Sequence, residues 1–200
     1  MSATTNKTLE FYFDFSSPYS YLAATQLPEL VKRTGAKVEY RPFVLAAVFK
    51  ATTNDMPAKI PAKAQYMFKD LERWAEFYGV RFKFTKYFPA NTIKAMRLVV
   101  VADEQGKADS IVQSLFRAIW AEDRDLNDPV VLGDCAEKAG LDPQAALAAI
   151  ETQPIKDRLR AYTDAAIAKG AFGAPAFVVG DELFWGNDRM HFVERALTSR

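Results

Sequence analysis

The fold is decided by residues 9–18, which have the sequence LEFYFDFSSP. Leucine and phenylalanine alternate here with glutamate, tyrosine and aspartate, and a period of two with aromatic side chains predicts a β-strand. Ser17 and Pro18 follow at once. Serine before proline is typical of a helix start, because the hydroxyl caps free N–H groups and proline fits the first turn. We therefore expect a strand that leads directly into a helix N-terminus.

The first helix and the next strand complete a βαβ unit. The helix is expected to run to about Thr34 and to stop at Gly35, while Pro28 inside it predicts a kink or an early break. Residues 37–42 then alternate again as a strand. A strand, a helix and a strand at this spacing connect through a right-handed crossover, so the two strands are expected to be parallel.

The apolar spacing becomes helical in the middle of the chain. Met67, Leu71, Trp74 and Tyr78 fall on one face of a helix that ends at Gly79, and further patterns of this kind follow it. The sequence therefore predicts a large helical block after the βαβ unit.

Two short strands return near the C-terminus. Residues 176–179 are apolar, a turn follows them, and residues 183–185 form a second strand, so the pair predicts a hairpin before a last helix. The whole order is the thioredoxin order with an insertion. We predict an α/β fold in a single unit, with a thioredoxin-like βαβ…αββα core at about residues 8–45 and 165–200 and a large all-helical insertion at about residues 46–164.

The composition excludes several classes of protein. Lys and Arg number 26 against 25 Asp and Glu, a net charge of +1, and a nucleic-acid partner is not expected because a phosphate-backbone binder needs clustered positive charge. The single cysteine, Cys135, excludes an intrachain disulfide and a CxxC motif. The single histidine, His191, excludes a multi-histidine site, so no metal is expected.

Targeting and membrane segments do not stand out in the sequence. The polar N-terminus lacks the apolar stretch of a secretory signal, and no apolar run is long enough to span a bilayer. We therefore expect no membrane partner and a reducing, cytoplasmic location.

The start of the first helix has the spacing of a redox motif without its sulfur. Residues 17–20, Ser-Pro-Tyr-Ser, resemble CxxC with oxygen at both ends. In a thioredoxin-like fold the reactive group lies here, where free N–H groups and the helix dipole favour an anion. Without a base the Ser17 hydroxyl is a poor nucleophile, but it is a good donor to a thiolate supplied from outside. The alternative is that Ser17 is only a helix cap.

Two further segments are expected at the same end of the sheet. Ala174 precedes Pro175 and a buried strand; the sequence leaves the isomer of this bond open, and an extended Ala174 backbone can pair with a peptide-like ligand. An ordinary proline at a strand start is the alternative. Asp188, after the hairpin, either caps the last helix or holds a charged end of a ligand with the neighbouring N–H groups.

Together these segments resemble a known family. Residues 13–23, FDFSSPYSYLA, are similar to the opening signature of the 2-hydroxychromene-2-carboxylate isomerases, which belong with the kappa-class glutathione transferases in the disulfide-oxidoreductase-like branch of the thioredoxin superfamily. The resemblance covers nearly the whole chain, since further matches occur at residues 49–54, 70–75, 88–92 and 170–189.

The resemblance implies a glutathione site. Ser17 would be the catalytic residue that contacts the glutathione sulfur, and the Ala174 backbone beside Pro175 would bind the cysteinyl part. The γ-glutamyl end would be bound by the segment after the hairpin, namely Trp185, Gly186, Asn187 and Asp188.

The resemblance also implies a substrate side. Asn54 and Asn91 would face a small aromatic carboxylate substrate. Lys50 and Lys63 are candidate partners for its carboxylate, and the alternative is that both are solvated surface lysines.

The implied activity is a glutathione-dependent isomerisation of 2-hydroxychromene-2-carboxylate to trans-o-hydroxybenzylidenepyruvate, in the catabolism of aromatic compounds. The thiol adds reversibly, a bond rotates, and elimination returns glutathione, which is therefore a cofactor. A homodimer is implied as well. Two alternatives stay open: a kappa-type transferase, in which the thiol adduct is the product, and a thioredoxin-like module that binds peptides or thiols without turnover.

Overall fold

A computed structural model describes residues 7–199 of the chain. Its four strands form one mixed sheet in the order β2-β1-β3-β4, with bounds β1 (Thr8–Phe13), β2 (Lys37–Pro42), β3 (Ala176–Val179) and β4 (Glu182–Trp185). Strands β1 and β2 are parallel, β3 is antiparallel to β1, and β3 and β4 form a hairpin. The expected βαβ unit and the expected hairpin therefore share one sheet.

The helices lie around this sheet, and most of them fall between β2 and β3. Their bounds are α1 (Pro18–Thr34), α2 (Leu45–Ala51), α3 (Pro61–Tyr78), α4 (Ile93–Asp103), α5 (Ala108–Trp120), α6 (Pro129–Lys138), α7 (Pro143–Ala149), α8 (Gln153–Ala168) and α9 (Met190–Thr198). Short 3₁₀ helices cover Pro57–Lys59 and Asn187–Arg189. The limits of about 46 and 164 for the insertion fall within α2 and α8, and that division of the chain stays a prediction.

Helix α1 begins and ends where the sequence predicts. Gly35 stops it in the left-handed conformation, at φ 67°. The early break expected at Pro28 is wrong, because α1 continues past it to Thr34. Proline has no N–H to donate to the carbonyl of Ala24, one turn earlier. That carbonyl oxygen instead accepts a hydrogen bond from Gln113 Nε2 at 2.9 Å, so α5 satisfies the group that Pro28 leaves free.

Both faces of the sheet are covered by helices. Alternation along β1 places Phe11 and Phe13 in one apolar layer and Tyr12 in the other. The first layer extends to Trp120 of α5, which is fully buried and donates from Nε1 to the carbonyl oxygen of Phe15 at 2.8 Å. The second layer is covered by α2 and α8. This packing fixes the loop between β1 and α1, where the site lies.

Within residues 7–199, no helix combines the length and the hydropathy needed to cross a membrane.

Candidate active site

A cavity of about 1000 Å³ opens where β1 meets α1, between the sheet and helices α2, α3 and α4. Most of its walls are apolar, and they include Phe49, Met67, Trp74 and Phe88. It brings together every site residue predicted from the sequence except Lys50: Ser17, Asn54, Lys63, Asn91, Ala174, Pro175, Trp185, Gly186, Asn187 and Asp188.

Lys50 does not reach this cavity. It is exposed near the end of α2, while Leu45, Ala46 and Phe49 of the same helix line the wall. Each residue turns an α-helix by about 100°, so Lys50 lies well around from the middle of that face. Of the two lysines considered for a carboxylate, only Lys63 lies at the cavity.

Ser17 is a helix cap and also part of the cavity wall. It is the N-cap of α1, and its Oγ accepts a hydrogen bond from the Ser20 N–H at 3.2 Å. The same hydroxyl donates to the carbonyl oxygen of Ala174 at 3.1 Å. Ser17 lines the cavity although only 6% of its surface is exposed. The two hydrogen bonds therefore fix the hydroxyl at the cavity wall.

The first turn of α1 leaves one donor free beside this hydroxyl. Pro18 has no N–H, and the N–H groups of Ser20 and Tyr21 donate to the Ser17 carbonyl oxygen at 3.1 and 3.3 Å. In the described part of the chain, the N–H of Tyr19 has no hydrogen-bond partner. Because the helix dipole is positive at this end, the free donor and the Ser17 hydroxyl form an anion-receptive corner.

The segment before β3 faces Ser17 across the corner. The Ala174–Pro175 peptide bond, whose isomer the sequence left open, is cis. The Gly186 N–H donates to the Pro175 carbonyl oxygen at 3.0 Å, which joins this segment to the end of β4. Ala174 is thus placed between the Ser17 hydroxyl and the residues after the hairpin.

Trp185 covers Gly173 at the cavity rim. Trp185 is 48% exposed and packs against Phe172 in a tilted arrangement, with ring centroids 5.0 Å apart. A Cβ at Gly173 would lie 2.6 Å from the Trp185 Nε1, so only glycine permits this close approach.

Asn187 and Asp188 differ in their surroundings. Asn187 is buried, and its Nδ2 donates to the Tyr78 hydroxyl at 3.4 Å, while that hydroxyl donates to the Asn187 carbonyl oxygen at 3.0 Å. The Asp188 side chain is 40% exposed and pairs with Arg189. Neither the 3₁₀ helix nor α9 receives a side-chain cap, so Asp188 does not cap the last helix. Its carboxylate lies at the cavity with Arg189 as its partner.

The residues predicted for the substrate side, Asn54, Asn91 and Lys63, are exposed and line the cavity. Asn54 Nδ2 donates to the Phe172 carbonyl oxygen at 2.9 Å, and Asn91 Oδ1 accepts from the Ile93 N–H at 3.3 Å. Lys59 also lines the cavity but is paired with Asp55 at 2.8 Å. Lys63 has no ion pair within residues 7–199.

Two cavity residues were missed in the sequence. The Tyr19 hydroxyl donates to Asp70 Oδ2 at 2.9 Å. Burial, together with this carboxylate, raises the pKa of Tyr19 above its ordinary value, so Tyr19 stays protonated and remains a donor. Asp14 also lines the cavity and is only 4% exposed. A charged residue directly after an apolar strand was the available signal for Asp14, whereas nothing local marks the pairing of Tyr19 with Asp70.

The residues outside the cavity do not add a nucleophile. Cys135 lies in the apolar core, where burial raises the pKa of its thiol, and His191 packs on Phe192. Residues 7–199 contain no group of side chains that could hold a metal ion. The residues that line the cavity therefore offer hydroxyl and N–H donors to an anion but no thiol.

A family model described as the DSBA-like thioredoxin domain matches residues 8–198. The chain belongs to this family. It is 38% identical to a 2-hydroxychromene-2-carboxylate isomerase of Sphingobium xenophagum, over 96% of this chain and 98% of that protein. It is 32% identical to the rat (Rattus norvegicus) glutathione S-transferase kappa 1, over 94% and 89% of the two chains.

A solved structure of a 2-hydroxychromene-2-carboxylate isomerase superposes with a TM-score of 0.88 at 31% identity, covering 95% of this chain and 94% of that one. The predicted α/β thioredoxin-like fold with a helical insertion is confirmed by this family membership and this superposition. The resemblance to the isomerases and the kappa-class transferases is confirmed as well.

Proposed function

We propose that this protein is a glutathione-dependent isomerase that interconverts 2-hydroxychromene-2-carboxylate and trans-o-hydroxybenzylidenepyruvate. The observation that carries the proposal is the Ser17 hydroxyl, which lies at the N-terminus of α1 and lines a large apolar cavity. None of the described residues that line this cavity is a cysteine. The family relatives named as isomerases support the choice of reaction.

The polar groups at this end of the cavity fit those of glutathione. The Ser17 hydroxyl and the free Tyr19 N–H, at the positive end of α1, suit its sulfur. The backbone of Ala174 suits its cysteinyl part, and the Asp188 carboxylate suits its ammonium group. The remaining contacts to the γ-glutamyl end would come from Trp185, Gly186 and Asn187. When bound, glutathione supplies a thiolate that adds to the conjugated substrate and leaves again, which makes a double bond temporarily rotatable.

This chain's own residues have three tasks in that chemistry. The Ser17 hydroxyl would turn from the Ala174 carbonyl to the sulfur, and the positive end of α1 favours the thiolate form of that sulfur. Donors of this kind lower a thiol pKa from about 8.5 toward neutrality. Asp188 and the Ala174 backbone hold the tripeptide in place. Phe49, Trp74 and Phe88 exclude water from the reacting carbons.

The opposite wall would orient the substrate. Within residues 7–199 Lys63 has no ion pair and could pair with the substrate carboxylate, and Asn54 and Asn91 line the same cavity. Lys50 does not line the cavity and would therefore not contact the substrate.

A kappa-type transferase is the second candidate, favoured by the 32% identity to the rat kappa-class enzyme. In that reaction the thiol adduct is released as the product. The two activities share the sulfur corner and differ in whether glutathione is consumed.

The test is a rate measurement on dialysed protein with 2-hydroxychromene-2-carboxylate, with and without glutathione, while free thiol is titrated. We expect turnover only with glutathione and a constant thiol concentration. Turnover without glutathione would overturn the proposal, and stoichiometric loss of thiol would establish the transferase instead. Glutathione binding without turnover of this substrate or of an electrophile panel would indicate a binding module.

We also propose a cytoplasmic location and a homodimer. Thiol chemistry with reduced glutathione suits a reducing compartment. Phe77 of α3 is 77% exposed, and we propose that a second copy covers it. Sedimentation of the purified protein would test the oligomeric state.

A further inference from the structure

Asp14 is a buried carboxylate that joins three parts of the site. Its Oδ1 accepts hydrogen bonds from the Ser16 N–H at 2.9 Å and from the Thr92 hydroxyl at 2.6 Å. Its Oδ2 accepts from the Leu45 N–H at 3.0 Å. Within residues 7–199 no lysine or arginine pairs with it. The charge is therefore balanced by polar N–H and O–H groups alone.

Each of these donors lies at the start of a different helix. Ser16 precedes the N-cap of α1, Leu45 is the first residue of α2, and Thr92 is the N-cap of α4. The caps of α2 and α4 make no side-chain hydrogen bond to their own helices. The Thr92 hydroxyl donates to Asp14 instead, and Asp14 accepts the Leu45 N–H in place of a local cap. One carboxylate thus accepts hydrogen bonds from residues at the starts of three helices.

The same three helices form facing walls of the cavity. The loop with Ser17 belongs to the sulfur corner, whereas Ala46 and Phe49 of α2 and Ile93 and Met96 of α4 line the substrate side. Asp14 lies in the cavity floor between them.

We infer that Asp14 is a positioning residue that fixes the sulfur corner relative to the α2 and α4 walls. This inference rests on the proposed function, because it assigns the two walls to a thiol and to its acceptor. A small misplacement between two reacting groups costs about a hundredfold in rate when bound geometry decides the barrier. Asp14 therefore affects the rate of the reaction more than the binding of glutathione.

Two conservative variants test separately the contacts that Asp14 makes with α2 and with α4. In Asp14→Asn the amide oxygen can keep the bonds from Ser16 and Thr92, but its NH₂ group then meets the Leu45 N–H, donor against donor. Thr92→Val keeps the shape of the side chain and removes only the hydroxyl that reaches Asp14. The matched control is Asp142→Asn, a carboxylate at the start of α7 that accepts from the Ala145 N–H at 2.7 Å and does not line the cavity.

The experiment measures kcat and KM for the chromene substrate and the Kd of glutathione by calorimetry, for the full chain and each variant. We expect Asp14→Asn to lower kcat/KM by about tenfold to a hundredfold, and Thr92→Val by less, with the Kd of glutathione nearly unchanged. Because both substitutions break hydrogen bonds to the same carboxylate, the fold-loss in kcat/KM of the double variant should be smaller than the product of the two single fold-losses. Asp142→Asn should match the wild type. Unchanged kcat/KM in Asp14→Asn, or an equal loss of glutathione affinity, would overturn the inference.

A second measurement does not depend on turnover. In Asp14→Asn the amide hydrogen of Leu45 should exchange faster than in the wild type, while that of Ser16 keeps its protection. If the wild type does not isomerise the substrate, the proposed function fails, and this exchange pattern still decides whether Asp14 links α2 to the sulfur corner. Unchanged exchange at Leu45 would show that it does not.

Discussion

The Ser17 hydroxyl donates to the carbonyl oxygen of Ala174 at 3.1 Å, across 157 positions of the chain. This bond connects the start of α1 to the segment before β3, the two parts of the core that a bound tripeptide would contact. In the proposed function the hydroxyl would have to leave this carbonyl in order to donate to an external sulfur.

We expect Ser17→Ala to cause a large loss in kcat and only a small loss in the free energy of unfolding. The loss of a hydrogen bond to a charged sulfur costs about 1.5–3 kcal/mol, or roughly tenfold to a hundredfold in rate. The loss of the cap on the Ser20 N–H costs about 1 kcal/mol of unfolding free energy. Turnover and urea denaturation on one preparation measure both. A stability loss without a change in kcat would leave Ser17 as a cap only.

Ser20→Ala is expected to stabilise the protein. The Ser20 hydroxyl is fully buried and has no hydrogen-bond partner within residues 7–199. Its removal relieves an unsatisfied polar group, and alanine favours the helix, so the free energy of unfolding should rise by about 1 kcal/mol. Activity should stay at the wild-type level. A lowered melting temperature would indicate that the hydroxyl has a partner in solution.

Asp188→Ala should weaken glutathione binding and leave kcat at saturating glutathione nearly intact. Its carboxylate would pair with an ammonium charge that is present before and after the reaction, so its loss acts on ground and transition states alike. Stability should change little, because Asp188 is exposed and caps no helix. Asp181→Ala, an exposed carboxylate in the β3–β4 turn, is the control. Equal glutathione affinities in the two variants would contradict the assignment.

Gly173→Ala tests the rim of the cavity. The new Cβ would lie 2.6 Å from the Trp185 Nε1, so the half-exposed indole has to move away. We expect a weaker affinity for glutathione and a modest loss of stability. Gly133→Ala is the matched control, because its Cβ meets neighbours only at 3.8 Å inside α6 and should stabilise that helix. Titration calorimetry should separate the two; equal affinities would show that the indole position does not matter.

Stability should depend on Asp123 at low pH. The Lys86 N–H, with Lys83 and Thr85, lowers the pKa of Asp123 to about 2, against about 3.9 in an unfolded chain. A depressed pKa contributes stability that is present above the unfolded value and is lost as the pH falls from about 4 to about 2. Wild-type protein should therefore lose unfolding free energy more steeply over that window than Asp123→Asn. Parallel denaturation profiles would refute this.

The start of the site could be predicted from sequence because its signals are local. An alternating strand, a serine and a proline determine the conformation of residues 9–18 within a few positions. Gly35 ends α1 for the same reason, since a left-handed residue is a property of one position.

The remaining site depends on contacts between distant residues. Thr92 reaches Asp14 across 78 positions, and Asp70 reaches Tyr19 across 51. Only the folded helices bring these pairs together. The position of Lys50 outside the cavity could not be predicted for a related reason: α2 has seven residues, too few for its apolar pattern to indicate which side faces the cavity.

The positions of the three tryptophans should make the intrinsic fluorescence of the protein sensitive to ligand binding and to unfolding in different ways. Trp120 is sealed in the aromatic core, so its emission should stay blue-shifted until the core opens to water. Trp74 and Trp185 line the cavity, and a ligand that fills it should change their quenching without shifting the Trp120 band. Ligand binding and unfolding should therefore give different spectral changes in unlabelled protein, and Trp120→Phe should remove the blue-shifted core emission without changing the response to a ligand.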